Sequence, residues 1–80
     1  MNEAGAAVDR AKEAVLYRRW SEGGVPRLAM RGRAEDLVRH FKTIPPKLRS
    51  RYLIRDGKSD YGPHEIEDLA RQFNITGPWG

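Results

Sequence analysis

Arg27-Leu28-Ala29-Met30-Arg31 and Arg49-Ser50-Arg51-Tyr52-Leu53-Ile54-Arg55 are the two stretches whose reading decides the fold. Leu28, Met30, Tyr52 and Ile54 stand at even positions, and Arg27, Arg31, Arg49, Arg51 and Arg55 at odd ones. A strand sends successive side chains to opposite faces, so a sheet built from these segments is expected to bury the even set and crowd the guanidinium groups onto one exposed face. Like charges held that close destabilise a sheet unless water, carboxylates or an anionic partner relieve them. This expected basic face is the main pointer to function in the sequence.

Before the first stretch, residues from about Glu3 to Glu22 read as a helix, with Asn2 as cap and Gly23-Gly24 as stop. Ala4, Ala7, Val8, Ala11, Val15 and Trp20 fall on one face of it, and Leu16 widens that face. Arg18 and Arg19 then sit in its last turn, as partners of the helix dipole or as binding residues. Val25-Pro26 opens the first strand, where proline is tolerated, and Gly32 is expected to break it. A second helix is expected from about Ala34 to Thr43: Ala34, Leu37, Val38, Phe41 and Ile44 recur at three-and-four spacing, Glu35 and Asp36 lie in the first turn, and Pro45-Pro46 ends it.

Lys47 to Ile54 reads as a strand entering a tight hairpin at Asp56-Gly57, because Tyr52-Leu53-Ile54 favours extended backbone. Leu48, Tyr52 and Leu53 also suit one face of a short helix beginning at Pro46. Lys58 to Tyr61 is the expected return arm. Gly62-Pro63-His64-Glu65 starts a last helix, with glycine at the cap, proline at the first helical position and glutamate placed to reach back to the cap amide. Ile66, Leu69, Ala70 and Phe73 form its apolar stripe. In the tail, Trp79 is expected to fold back onto the core or to mark a contact site.

The resulting class is α+β: a single small domain, 1–80, of three helices packed on a short antiparallel sheet of two or three strands, with flexible ends expected at 1–3 and 76–80. With 39% hydrophobic and 32% charged residues, the apolar ones in periodic clusters, the chain reads as globular rather than disordered. It has no cysteine, so disulfides and thiolate metal sites are excluded, and an unstapled small domain suits a reducing cytoplasm. No apolar run approaches the roughly 20 residues that span a bilayer, and Glu3 and Asp9 stand where a signal peptide needs a basic flank and an apolar stretch. The expectation is a cytoplasmic protein with no membrane partner. The net charge of +4 hides an asymmetry: residues 18–58 carry twelve basic side chains against Glu22, Glu35, Asp36 and Asp56, while both ends are net acidic. Such a field steers anionic partners toward one side.

The run Tyr52-Leu53-Ile54-Arg55-Asp56-Gly57-Lys58-Ser59-Asp60-Tyr61-Gly62-Pro63-His64-Glu65-Ile66-Glu67-Asp68-Leu69 resembles the opening of the GYF-like domains, with their aromatic strand, glycine-containing turn, Tyr-Gly-Pro step and acidic helix. The resemblance implies peptide binding, although the further aromatics with which that family cradles proline-rich peptides do not follow Phe73. Glu65 to Thr76 is similar to the first helix and turn of a helix-turn-helix. Gly77-Pro78-Trp79-Gly80 is not the recognition helix that should come next, and the last helix is net acidic.

Chemistry-bearing patterns are sparse. His40 reads as a surface or partly buried histidine, and His64 lacks the second histidine four residues on that a zinc motif needs, because position 68 is Asp. Asp56, Asp60 and Asp68 do not have calcium-loop spacing, the glycines compose no phosphate-cradling loop, and Ser21, Ser50 and Ser59 have no evident base. The expectation is therefore no enzyme, no cofactor, no metal and no small-molecule substrate. What remains is either a solvated basic face offset by acidic helix exteriors or a partner-binding face.

On the binding reading, Arg27, Arg31, Arg49, Arg51 and Arg55, with Lys47 and Lys58 at the edges and Trp79 in the tail, meet the partner. Trp20, Tyr52 and Trp79 are of the type that anchors interfaces. The expected function is a small non-enzymatic protein that docks on an acidic or nucleic-acid-binding protein complex. In overall profile it is similar to the phage-encoded inhibitors of bacterial defence, including anti-CRISPR proteins. The alternative is a nucleic-acid-binding accessory protein that contacts phosphates through the same arginines, since arginine forks pair with phosphate and carboxylate alike.

Overall fold

The strand that organises the sheet lies where the sequence reads as a helix. In the computed structural model, which describes residues 9–21, 23–57 and 59–79, Glu13–Arg18 is strand β1. The elements that follow are β2 (Arg27–Arg33), α1 (Ala34–Phe41), a 3-10 helix (Pro46–Arg51), β3 (Tyr52–Asp56), β4 (Ser59–Tyr61) and α2 (Pro63–Phe73). The four strands form one antiparallel sheet in the order β2-β1-β3-β4. The fold is α+β as expected, but among the described residues the sheet has four strands rather than two or three. Among the described residues the third helix is the short 3-10 helix Pro46–Arg51.

The helix expected from Glu3 to Glu22 is corrected over its described part. Ala14 and Leu16 are buried while Val15 and Tyr17 lie on the other face, a period of two that the three-and-four pattern had masked. Pairing with β2 on one side and β3 on the other satisfies the backbone of β1 and overrides the helix preference of Glu13, Ala14 and Leu16. Residues 1–8 of the expected helix lie outside the described residues. Gly23 is not a helix stop: it takes φ +76° in the β1–β2 hairpin, where the Gly24 N–H donates to Ser21 O at 3.0 Å.

Nor does Gly32 break β2, which runs through Arg33 directly into α1. The first amides of α1 find acceptors in the chain leading to β1: Ala34 N–H donates to Lys12 O at 2.8 Å and Glu35 N–H to Arg10 O at 2.9 Å. α1 stops at Phe41, short of Thr43, whose N–H and hydroxyl both turn back to His40 O. The hairpin at Asp56-Gly57 forms with Gly57 at φ +58°, and β4 begins at Ser59; Lys58 lies outside the described residues. α2 starts, as its N-terminal capping signals imply, with Gly62 N–H donating to Glu65 Oε1 at 2.9 Å, and it ends at Asn74, φ +57°.

Both α-helices cover the same face of the sheet. Leu16, Leu37, Val38, Phe41, Ile54 and Ile66 are fully buried between the layers, and Ala14, Ala34, Leu69, Ala70, Phe73 and Ile75 complete the cluster. Tyr52 stands edge-on to Phe41 at 6.5 Å between ring centroids. Beyond α2, Gly77 lies so close to the backbone of Lys42 that no side chain fits there. Trp79 Nε1–H donates to Thr43 O at 3.1 Å, so the tail does fold back, with its indole still 54% exposed.

Candidate docking surface

Two local events scatter the expected five-arginine face. The first is in β2. Met30 pairs with Leu16 but Leu28 pairs with Tyr17, which leaves Ala29 as a bulge. An extra residue flips every side chain before it to the opposite face, so Leu28 comes onto the open face, 51% exposed, and Arg27 turns to the helix side opposite Arg18. Of the four residues expected to be buried, only Ile54 is, at 1% exposure; Met30 and Tyr52 are half-buried.

The second event is the 3-10 helix, which replaces the strand expected over Lys47 to Ile54 up to Arg51. Proline at its first position and the shorter turn direct Arg49 inward, where it is 8% exposed. Arg49 Nε donates to Ile44 O at 2.8 Å, Nη1 to Glu67 Oε2 at 2.6 Å and Nη2 to Lys42 O at 3.3 Å, and the guanidinium lies 5.5 Å from the Phe41 ring centroid. Lys42 Nζ donates to the other Glu67 oxygen at 2.7 Å. Burial pushes the Glu67 carboxyl up, yet the hydrogen bond from Lys42 and the charges of Lys42 and Arg49 outweigh it and hold it below the usual carboxylate range. Arg49 is thus a structural tie and is removed from the expected binding set. A groove of about 460 Å³ beside this triad, reaching Arg71 and Thr76, has its buried charges already paired.

On the open face, Arg31 and Arg55 flank Val15 in one row. Arg55 is bound through Nε and Nη2 to both oxygens of Asp60, at 2.8 and 3.2 Å, and lies 5.1 Å from the Tyr17 ring centroid. The hydrogen bond from Arg55 holds the Asp60 carboxyl below its ordinary range, so Arg55 is compensated within the sheet. Arg27, Arg31, Arg51 and Lys47 keep no ion pair among the described residues.

The basic residues that do converge lie at the β1–β2 end. Arg27, Arg18 and Tyr52 are direct neighbours across β2, β1 and β3. The Arg18 guanidinium carbon lies 4.2 Å from the Trp20 ring centroid and 5.7 Å from that of Tyr52, and Trp20 remains 63% exposed. Arg19 N–H donates to Arg51 O at 2.8 Å, which brings the end of the 3-10 helix to the same place. Arg18 Nε and Arg19 Nε are shielded from water and have no acceptor among the described residues. Val25 and Leu28 are also exposed, Leu28 on the opposite, open face of the sheet.

Arg18 and Arg19 are not helix-dipole partners, because no helix ends there. Trp20 lies two residues past Arg18, the last residue of β1, in the bend that follows the strand, and no local pattern in the sequence marks the stack. Trp79 is held against Thr43. No group of three or more His, Asp or Glu side chains among the described residues is placed to hold a metal ion, and no helix among them is long and apolar enough to cross a membrane. Neither a protein-family model, nor a curated protein, nor a solved structure matches this chain.

Proposed function

We propose that this chain is a small non-enzymatic binding protein that docks on a macromolecular complex through the β1–β2 end, with an acidic protein surface as its direct partner. The observation that carries the reading is the Arg27–Arg18–Tyr52 row with Trp20 stacked on it. Two guanidinium side chains face each other on neighbouring strands without a counter-charge among the described residues, an arrangement that costs stability until an anion joins it. Arginine serves phosphate and carboxylate equally, so the neighbours decide the partner class. Exposed Trp20, stacked on Arg18, offers apolar area that a protein partner buries and a phosphate backbone does not use. This profile suits an inhibitor of the kind that phages direct against bacterial defence complexes.

Capture of the partner from an extract of the native host, with and without nuclease, tests the reading. The expected result is a protein retained after nuclease, released faster by Trp20→Ala and captured more slowly by Arg27→Glu. Loss of the partner on nuclease treatment supports the nucleic-acid reading instead.

A further inference from the structure

We infer that β2 is an acceptor edge for an extended acidic segment of the partner protein. The segment adds as a further strand, with a carboxylate side chain opposite Arg31, a large apolar side chain over Gly32 and a second carboxylate opposite Arg33. The inference rests on the protein-docking reading above and names the chemistry of the partner.

Among the described residues β2 pairs only with β1, so one side of a seven-residue strand is left with backbone donors and acceptors to offer. Arg31 and Arg33 stand opposite Val15 and Glu13 on the open face, separated by one residue, and neither has an ion pair among the described residues. Their spacing matches the period of an added strand, whose residues opposite Arg31 and Arg33 share that face.

Arginines alone would also suit an edge that is merely guarded against aggregation. Gly32 separates the two cases. It has no positive φ, and a Cβ built on it meets nothing within 4 Å, so neither backbone conformation nor crowding within the described fold requires glycine there. A glycine inside a strand weakens it and often marks the close approach of another chain, and a bulky cross-strand neighbour lying over a glycine recovers the lost packing. The same position in an added strand, between two acidic residues, is where that side chain belongs. The motif is therefore acidic–large apolar–acidic, which reads alike in a parallel or antiparallel strand.

The test uses the full chain and a capped peptide, Thr-Val-Thr-Glu-Phe-Glu-Thr-Val-Thr, followed by backbone amide NMR and hydrogen exchange. Shifts confined to residues 27–33 and their flanks, with slowed exchange of the outward β2 amides, are expected. The same peptide with lysine in place of glutamate should give none. Arg31→Glu should weaken binding at least about tenfold through loss of a charge-assisted cross-strand pair. Replacing the peptide's phenylalanine by serine should weaken binding, because the side chain over Gly32 then recovers no packing. The inference is overturned if the β2 amides of the free chain are already as protected as those of β1, since the edge is then covered by the chain itself. It is equally overturned if the peptide shifts other residues or none, or if the serine peptide binds as well as the original. Failure of the peptide together with a nuclease-resistant protein partner that Trp20→Ala releases sinks the edge proposal and leaves the docking reading standing.

Discussion

Arg49→Ala distinguishes a structural arginine from a binding one. The substitution leaves the carbonyls of Ile44 and Lys42 without the donors that now stand at 2.8 and 3.3 Å, and removes one of the two cations on Glu67. Hydrogen bonds to a charged group contribute about 1.5–3 kcal/mol each, and breaking a buried ion pair costs about 3–5 kcal/mol. Glu67 keeps Lys42 and is partly exposed, which places the expected loss near the lower end, about 3 kcal/mol. For 80 residues the whole stability is about 4–12 kcal/mol, so this loss is a large share of it. Urea titration at constant slope is the assay, because a changed slope would report a changed unfolded state instead. A loss below about 1 kcal/mol, comparable to an exposed ion pair, would refute the placement of Arg49 in the core and return it to the partner-binding set.

Other outcomes follow from the same packing. Glu67 titrates below its ordinary range in the folded chain, so its contribution is present above the usual glutamate pKa and disappears as pH falls through the folded value; Glu67→Gln should flatten that acid limb in a pH series of unfolding titrations. Ile54→Ala, at a site 1% exposed, should cost about 2–5 kcal/mol by the same titration. Gly77→Ala should lift the tail from Lys42 and break the Trp79 bond to Thr43, read as a red shift of the Trp79 emission in a Trp20→Phe background. An unchanged emission maximum would mean that the indole is not held there.

Legibility of the fold in the sequence followed the range of the interactions involved. α1, α2 and the Asp56-Gly57 turn are set by capping, local periodicity and one glycine at positive φ, and all three stand close to where the residues imply. β1 was not legible, because its extended state depends on two strands distant in sequence, and Ala14, Val15 and Leu16 satisfy a helical face as readily as a strand. The bulge at Ala29 leaves no mark in composition, yet it moves Arg27 away from Arg31. At Pro46–Arg51 a choice between strand and helix turns on one buried arginine whose partner, Glu67, lies 18 residues later. The candidate surface was legible as a concentration of charge in residues 18–58. Its location at Arg18, Trp20, Arg27 and Tyr52 required the register of three strands.

Titration of a duplex DNA of about 20 base pairs at several salt concentrations tests the choice of partner most directly. A basic surface that serves a protein should bind DNA weakly at low salt and lose it near 0.15 M, about physiological ionic strength. Micromolar or tighter affinity kept at that salt, with log affinity falling against log salt at a slope near −4, as about four phosphate contacts require, would contradict the account and make nucleic acid the partner.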